Sequence, residues 1–208
     1  MPKRKSSSQR WLDRHVNDAF VQSARIDGYR SRAAYKLVEL QERDRLLKSG
    51  MRVVDLGAAP GGWSQVAVPL VGRKGRVVAL DLLSFDPIDG VDVIQGDFRD
   101  DEVLLRLGEA LRDEPLDLVL SDMAPNISGM KAVDQPRSIY LAELALDFAR
   151  SSLRPCGSLV IKAFHGEGFD ALVRTMRHHF DSVVSRKPKA SRPQSRETYL
   201  VAKGLRVG

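Results

Sequence analysis

The sequence has almost no cysteine and no long apolar run. One of its 208 residues is cysteine, Cys156, which excludes a disulfide framework and a cysteine-based metal site. No apolar run reaches the roughly 18 residues that a membrane-spanning helix needs. The basic start, MPKRKSSSQRW, is followed by no apolar segment, which argues against a secretory signal peptide. The four histidines have no spacing typical of metal ligands. We therefore expect a cytoplasmic protein with no membrane segment and no metal.

Positive charge is in excess and is concentrated towards the two ends of the chain. The formal net charge is +6. The clustered basic residues are Lys3, Arg4, Lys5, Arg10, Arg14, Arg25, Arg30, Arg32 and Lys36, and then Arg186, Lys187, Lys189, Arg192 and Arg196. This distribution favours a nucleic-acid partner, because each phosphate that a basic side chain neutralises releases counterions. A basic surface without a specific partner is the alternative.

The hydrophobic pattern predicts an α/β fold. Apolar runs at 52–56, 76–80, 91–95, 116–122 and 157–164 indicate buried strands. Ser31 is expected to cap a helix that continues to about Leu47, and stripes of helical spacing follow at 135–153 and 168–180. A terminal pair of strands is predicted at 181–186 and 197–203. Together these elements predict a mostly parallel, seven-stranded sheet with helices on both faces. We divide the chain into a basic, partly mobile N-terminal segment, 1–30, and one domain, 31–208.

A glycine-rich turn follows the first apolar run and reads Gly57-Ala58-Ala59-Pro60-Gly61-Gly62. A phosphate-binding P-loop is excluded, because the last glycine is followed by Trp63 and Ser64 instead of a Lys-Ser/Thr pair. The turn also matches the dinucleotide fingerprint poorly. S-adenosylmethionine remains as the expected ligand, since it has no pyrophosphate that the backbone must approach.

Two acids support this interpretation of the turn. Asp81 ends the second strand, where its carboxylate can accept both ribose hydroxyls, and Asp97 follows the third strand, where it can receive the adenine amino group. Open α/β sheets bind their ligands at these carboxyl ends. Each acid taken alone is equally consistent with a solvated loop residue.

The fourth and fifth strands end in residues that indicate the chemistry. The sequence SDMAPN, 121–126, lacks the Asn/Asp-Pro-Pro-aromatic pattern of enzymes that methylate exocyclic base nitrogens, and Cys156 is misplaced for a C5-methylating nucleophile. Lys162 closes an otherwise apolar strand, where burial is costly unless it has a partner. Snorkelling to the surface is the alternative for Lys162. Beside Asp122, this lysine can align a hydroxyl for attack on a sulfonium methyl group.

The sequence resembles the bacterial heat-shock ribosomal RNA methyltransferases of the large-subunit methyltransferase E family. The resemblance covers nearly the whole chain and rests on the ordered motifs SRAAYKL, VVDLGAAPGGWSQ, GDF, SDMAPN, LVIKAF and SRETYLVA. It implies a Rossmann-like class I S-adenosylmethionine-dependent methyltransferase that modifies a uridine 2′-hydroxyl in 23S rRNA on the assembled large subunit. The residues that it assigns to catalysis are Lys36, Asp122, Lys162 and Glu197. Those that it assigns to the methyl donor are Gly61, Trp63, Asp81, Asp97 and Asp122, to which the first glycine of the turn, Gly57, is added.

Lys162 is expected to accept the hydroxyl proton, held by Asp122 and Glu197 and accompanied by Lys36. Alternatively, Lys162 stays charged and orients the ribose oxygen, and the proton passes to water. If the last strand is antiparallel, Glu197 begins it at the edge where Asp122 and Lys162 end theirs.

Three other functions are consistent with parts of the sequence. The same chemistry serves a tRNA or an mRNA cap, although cap recognition requires stacking aromatics and only 6% of this sequence is aromatic. A non-catalytic RNA-binding assembly factor and a nicotinamide-dependent oxidoreductase are the remaining alternatives. With no separate recognition domain, RNA is expected to lie across the catalytic face, contacting the N-terminal segment and the 186–196 loop. We expect a monomer.

Overall fold

The computed structural model describes residues 18–112, 114–192 and 194–206. Its strands are β1 (Arg52–Leu56), β2 (Arg76–Asp81), β3 (Val91–Gln95), β4 (Leu116–Ser121), β5 (Leu153–Phe164), β6 (Phe180–Arg186) and β7 (Glu197–Leu205). They form one seven-stranded sheet in the order β3-β2-β1-β4-β5-β7-β6. The first five strands are parallel, and β7 is antiparallel to both of its neighbours. The predicted mostly parallel sheet is confirmed.

Helices cover both faces of the sheet. Within the described residues they are α1 (Ala19–Ile26), α2 (Ala33–Asp44), α3 (Gly62–Val71), α4 (Asp101–Leu111), α5 (Lys131–Ser152) and α6 (Phe169–His179). Because side chains alternate along a strand, neighbouring residues of β1 enter different cores. Val53 packs with α2 and α3, whereas Val54 packs with α4, α5 and α6, and both are fully buried. The continuous apolar runs are thus explained by burial on two sides.

The register of the central strands brings polar residues to one edge. Ser121 of β4 is level with Ile161 of β5, so the next residues, Asp122 and Lys162, are neighbours at the carboxyl ends of two parallel strands. Lys162 lies directly opposite Tyr199 of the antiparallel β7. The expectation that an antiparallel last strand begins at this edge is therefore met.

The start of α2 differs from its prediction. The helix begins at Ala33 and ends at Asp44, with Arg45 in the left-handed conformation at φ 50°. Ser31 does not cap it with its side chain: the Ser31 carbonyl accepts from Ala34 N at 3.2 Å, and its buried Oγ has no hydrogen-bond partner among the described residues. The hydroxyl is instead packed against Gly62, where a Cβ would approach it to 2.6 Å.

Cys156 lies in an irregular start of β5. The strand begins at Leu153, four residues before the predicted run, and its register with β4 shifts between Leu116 and Leu118. Cys156 is exposed and has φ +63°, a conformation that favours glycine. Cys156 thus occupies an irregular position within β5.

The described residues contain neither a membrane-crossing helix nor a cluster of metal ligands. None of the helices there combines the length and the apolar character that a membrane crossing requires. In the same part of the chain, no three or more His, Cys, Asp or Glu side chains are grouped so that they could hold a metal ion.

Candidate active site

The carboxyl ends of β4 and β5 hold a buried ion pair. Lys162 Nζ lies 3.0 Å from Asp122 Oδ1 and also donates to the Asp122 main-chain carbonyl. Lys162 is 8% exposed, so its stem is enclosed by the sheet and its ammonium group is held against the end of β4. Lys162 therefore does not snorkel, and its charged end faces a fixed carboxylate.

Tyr199 connects this ion pair to a second one. Its hydroxyl donates to Asp122 Oδ1 at 2.6 Å and accepts from Lys36 Nζ at 2.9 Å. Lys36 Nζ lies 2.8 Å from Glu197 Oε1. Lys162, Asp122, Tyr199, Lys36 and Glu197 thus form one continuous chain of contacts, which we call the charged cluster. The structure brings together all four residues that the sequence assigned to catalysis.

Strand geometry accounts for the composition of the charged cluster. Glu197 and Tyr199 are two residues apart in β7, so their side chains point to the same face of the sheet. Lys162 is opposite Tyr199 and shares that face. Lys36 reaches the cluster from α2, whose buried Leu37 and Leu40 pack on this side.

The pKa values in the charged cluster favour ionised carboxylates on Asp122 and Glu197 and a neutral hydroxyl on Tyr199. Burial raises the pKa of the Asp122 carboxyl, but Lys162, Lys36 and the Tyr199 hydroxyl outweigh burial, and the pKa lies below its usual value. In Glu197, burial is likewise outweighed by Lys36, so that its pKa is also lowered. Burial and the charges of Asp122 and Glu197 raise the pKa of Tyr199 well above its usual range. Both acids are therefore ionised at neutral pH, and Tyr199 keeps its proton for the hydrogen bond to Asp122.

Asp122 also lines a cavity of about 530 Å³ at the carboxyl edge of the sheet. Its wall includes Gly57 and Ala59 of the glycine-rich turn, Asp81 at the end of β2 and Asp97 shortly after β3. The volume is in the range of small-molecule sites, and the position is the one expected for ligands of open α/β sheets. The cavity thus joins the glycine-rich turn to the charged cluster.

The two acids of the cavity are held differently. Asp81 accepts backbone N–H groups from Ala59 at 2.9 Å and Leu83 at 2.8 Å, which fixes its carboxylate at the end of β2. The Arg99 Nε–H is shared between both oxygens of the Asp97 carboxylate, at 2.9 Å from each, and hydrogen bonding by Arg99 lowers the pKa of Asp97. A carboxylate has about four acceptor sites, so Asp81 keeps acceptor capacity for ribose hydroxyls.

The segment that follows β4 passes close to Gly57 and leaves no room for a side chain there. Gly57 has φ +74°, and a Cβ there would lie 2.7 Å from Met123 Cγ. Because Gly57 and Met123 both line the cavity, a larger residue would displace the wall beside Asp122. The carboxylates in the cavity wall, the close approach of the backbone at Gly57 and the cavity volume all fit S-adenosylmethionine.

Two of the predicted donor-binding residues are not brought to the cavity wall. Trp63 is 2% exposed, its Nε1 donates to Ala33 O at 2.8 Å, and its ring packs 5.6 Å from the ring of Tyr199. Its indole therefore supports the charged cluster from the core, so a contact with the donor would have to come from its backbone. At Gly61, φ is +103° and the space for a Cβ is filled by Ile88 at 2.5 Å.

Asp55 is a buried acid beneath the turn that sequence reasoning missed. It is fully buried in β1 and accepts from Ser64 Oγ at 2.7 Å. Burial, together with the charges of Asp122 and Asp81, raises the pKa of Asp55 to about 7 against the opposing hydrogen bond from Ser64. Its carboxyl fixes the first turn of α3 to the sheet.

Arg30 closes the outer side of the glycine-rich turn. Its guanidinium donates to Pro60 O at 3.2 Å, to Asp86 O, and to Pro87 O at 2.7 Å. One side chain thus connects the turn to the loop between β2 and β3, whose Leu82 and Leu83 line the cavity. The sequence placed Arg30 only among basic residues that could contact RNA.

Two of the basic side chains in the 186–196 loop lie close to acidic residues, so fewer of them are available to a partner than the sequence suggests. Arg186 makes three hydrogen bonds to the Asp44 carboxylate, 2.7 to 3.2 Å long, and is therefore a structural residue. Arg192 lies 3.9 Å from Asp18, which also pairs with Arg32. The exposed cations of the loop are Lys187, Lys189 and Arg196.

Comparison with known sequences gives a consistent set of relatives. A family model described as FtsJ-like methyltransferase matches residues 29–205. The chain is 61% identical over 204 residues to "Ribosomal RNA large subunit methyltransferase E" of Marinobacter nauticus, covering 98% of this chain and 99% of that protein. It is 57% identical over 203 residues to the protein of the same name from Pseudomonas aeruginosa PAO1, covering 98% of each.

Solved structures agree with the fold. A crystal structure from Plasmodium falciparum, of a protein assigned as a ribosomal RNA methyltransferase, is 34% identical, with a TM-score of 0.77 over 85% of this chain and 98% of that chain. Human methyltransferase-like protein 13, in complex with SAH, is 16% identical and has a TM-score of 0.56 over 82% of this chain and 78% of that chain. The second likeness concerns the fold alone.

Proposed function

This chain belongs to the FtsJ-like methyltransferase family, and we propose that it transfers the methyl group of S-adenosylmethionine to the ribose 2′-hydroxyl of a uridine in the 23S RNA of the large ribosomal subunit. The observation that carries this proposal is the charged cluster at the end of the cavity, with Asp122 common to both. The names of the bacterial relatives support the large-subunit RNA as substrate.

The chain offers a matching set of donor contacts. Asp81 would hold the ribose hydroxyls, Asp97 the adenine amino group, and the backbone of the turn from Gly57 to Trp63 the methionine part. When bound, S-adenosylmethionine supplies a methyl group on a positively charged sulfur. Asp122 lines the cavity and faces Lys162, so the acceptor hydroxyl belongs at this junction.

Lys162 accepts the proton of the 2′-hydroxyl at its Nζ atom. A hydroxyl is a weak nucleophile until a positioned base removes its proton, which typically contributes about 10²–10⁴-fold to the rate. Lys162 forms an ion pair with Asp122, so its ammonium group must first release a proton to solvent before the amine can accept the proton of the hydroxyl. Its place against Asp122 fixes Nζ, and Asp122 then stabilises the ammonium ion that forms.

The other members of the charged cluster act as positioning groups. Tyr199 fixes the Asp122 carboxylate by donating to it, and Lys36 in turn donates to Tyr199. Glu197 balances the charge of Lys36 inside the protein. Because every member comes from one chain, we propose that the enzyme works as a monomer, in the cytoplasm where bacterial ribosomes are made.

An intact cavity and charged cluster count against a non-catalytic assembly factor. The imperfect dinucleotide fingerprint counts against an oxidoreductase. A tRNA or a cap would use the same chemistry, and only the names of the relatives separate these substrates from large-subunit RNA.

Replacing Arg30 by alanine is expected to weaken S-adenosylmethionine binding about tenfold, which corresponds to about 1.4 kcal/mol. The substitution removes three hydrogen bonds that hold the β2–β3 loop against the glycine-rich turn. Isothermal titration of the variant with the donor measures the effect. Arg25→Ala, at an exposed arginine of α1, is the matched control. If the Arg30 variant binds the donor as tightly as wild type, the hydrogen bonds of Arg30 are not needed to hold the β2–β3 loop for donor binding.

Removing residues 1–14 is expected to weaken RNA binding and to flatten its salt dependence. The deletion takes away Lys3, Arg4, Lys5, Arg10 and Arg14, which lie outside the described residues. The slope of log K against log salt falls with each phosphate contact that is lost. An unchanged slope would exclude this segment as an RNA contact and leave the cations of the 186–196 loop to supply it.

The substrate assignment is tested with labelled donor. Large subunits, protein-free 23S RNA and small subunits are isolated from cells that lack this protein and are incubated with S-adenosylmethionine carrying a labelled methyl group. We expect label in 23S RNA and none in small subunits, with large subunits as the better substrate. Label only in tRNA, added as a fourth substrate, would show that the RNA target is wrong although the chemistry stands.

A further inference from the structure

Two exposed apolar side chains follow the residues that line the cavity after β4. Ile127 is 68% exposed and Met130 is 61% exposed. Both belong to the loop between β4 and α5, residues 124–130, which we call the rim loop. Ile127 is only five residues beyond Asp122, so it lies within roughly 18 Å of the charged cluster. Asn126 lines the cavity and directly precedes Ile127, which makes these exposed side chains candidates for contact with a substrate.

The rim loop is tied down, so these side chains are presented in a fixed arrangement. The Asp134 carboxylate of α5 accepts from Ser128 N at 2.9 Å, Ser128 Oγ at 2.8 Å and Gly129 N at 3.0 Å. Gly129 has φ +86°, which permits the turn. The polar groups of the loop are thereby directed towards α5, and Ile127 and Met130 are left facing solvent.

The rim loop is also connected to the strand that carries Lys162. Gln135, in the second turn of α5, donates through Nε2 to Phe164 O and to Glu167 O, both at 3.0 Å. Gly166 is packed against the same side chain, because a Cβ there would lie 2.8 Å from Gln135. The rim loop thus leads directly into α5, and the start of α5 is held by Gln135 to the residues at and just after the end of β5.

Positive charge flanks the two apolar side chains. Lys131 begins α5 directly after Met130, and Arg137 lies two turns into the helix and also lines the cavity. Both are exposed. An apolar surface with cations at its border is complementary to a nucleotide, whose base has a flat apolar face and whose phosphates are anionic.

We propose that Ile127 and Met130 pack against the base of the target nucleotide, turned out of its stack, while Lys131 and Arg137 contact the neighbouring phosphates. The inference rests on the proposed function, since it takes RNA as the substrate. Within a stacked helix the faces of a base are covered by its neighbours, so contact with Ile127 and Met130 requires the nucleotide to be turned out of the stack. Ile127 and Met130 contact the flat face of the base. The rim loop therefore binds a nucleotide through this face and makes no hydrogen bonds to the base edge that distinguishes one base from another.

The test compares Ile127→Ser, Met130→Ser and the double variant with wild type in methylation of large subunits. We expect kcat/KM to fall about tenfold in each single variant and about a hundredfold in the double variant. Donor affinity and thermal stability should stay unchanged, since both side chains are exposed. Leu105→Ser, at a 69% exposed leucine on α4, is the matched control and should behave as wild type. Ile127→Leu, which keeps an apolar side chain of similar size, should retain most of the wild-type activity, unlike Ile127→Ser.

An active wild type with an equally active double variant would overturn the proposal and leave the proposed function standing. Loss of donor affinity in the double variant would also overturn it, since the rim loop would then serve the donor. A wild type that labels no RNA would remove the proposed function itself, and with it the base contact.

Discussion

Replacing Lys162 by alanine is expected to lower the rate of methyl transfer by about 10²–10⁴-fold while S-adenosylmethionine still binds. The variant loses the amine that lies at the end of β5 against Asp122, and with it the proposed proton acceptor. The donor cavity is lined by other residues, so its affinity should change little. Single-turnover methylation measures the first quantity, and isothermal titration measures the second.

Lys162→Arg separates proton transfer from simple orientation of the substrate. Arginine keeps the positive charge and the ion pair with Asp122, but it does not deprotonate in proteins and cannot act as a base. If Lys162 accepts the proton, the arginine variant should be as inactive as the alanine variant. Substantial activity with arginine would mean that the lysine only orients the ribose oxygen. Near-normal activity of Lys162→Ala would contradict both roles.

Replacing Asp122 by asparagine is expected to lower methyl transfer by about 10²–10³-fold, because it removes a preorganised charge beside the reacting hydroxyl. The amide oxygen can still accept from Tyr199, so the shape of the cluster is largely kept. What is lost is the negative charge between Lys162 and Lys36. The unfolding free energy should also fall, by about 3–5 kcal/mol if the buried pair is left uncompensated. Single-turnover methylation and urea denaturation measure the two effects.

The pH dependence of stability provides a second readout for the Asp122 variant. The pKa of Asp122 is lowered in the folded protein, so its ionisation stabilises the fold above the unfolded pKa of about 3.9, and this stabilisation is lost as the pH falls through the folded value. The asparagine variant should lose part of that acid dependence. Asp92→Asn, which breaks an exposed ion pair with Arg76, is the control and should cost less than about 1 kcal/mol. Equal losses in both variants would show that the cluster is no stronger than a surface pair.

Much of the site could be predicted because it depends on strand ends. Asp122 and Lys162 follow continuous apolar runs, and parallel strands bring such ends to one edge. Glu197 was assigned by the family resemblance, and the antiparallel last strand seen in the register agrees with that assignment. The same alternation that places Glu197 on this face also places Tyr199 there, and that signal was available. Tyrosine in an apolar strand looks like core, and Tyr199 is indeed buried while its hydroxyl joins the two ion pairs.

The remaining details depended on tertiary packing that a one-dimensional pattern does not contain. The indole of Trp63 is directed into the core by the path of α3, away from the cavity. Arg186 was expected to be available to RNA, but Asp44 of α2 neutralises it from 142 positions away in sequence. The Ser31 hydroxyl was expected to cap α2, but Gly62 lies against it. In each case the deciding neighbour is distant in the chain.

The central claim is that the methyl group is added to a ribose oxygen, and the most direct measurement locates it. RNA methylated by the wild-type enzyme with labelled donor is hydrolysed completely in alkali, and the labelled product is sized and identified by mass. Alkaline cleavage needs a free 2′-hydroxyl, so a 2′-O-methyl group protects the adjacent linkage. The account predicts that all the label is in a dinucleotide whose 5′ residue is a methylated uridine. Label in a mononucleotide would place the methyl group on a base and contradict the assignment of Lys162 as the acceptor of a hydroxyl proton.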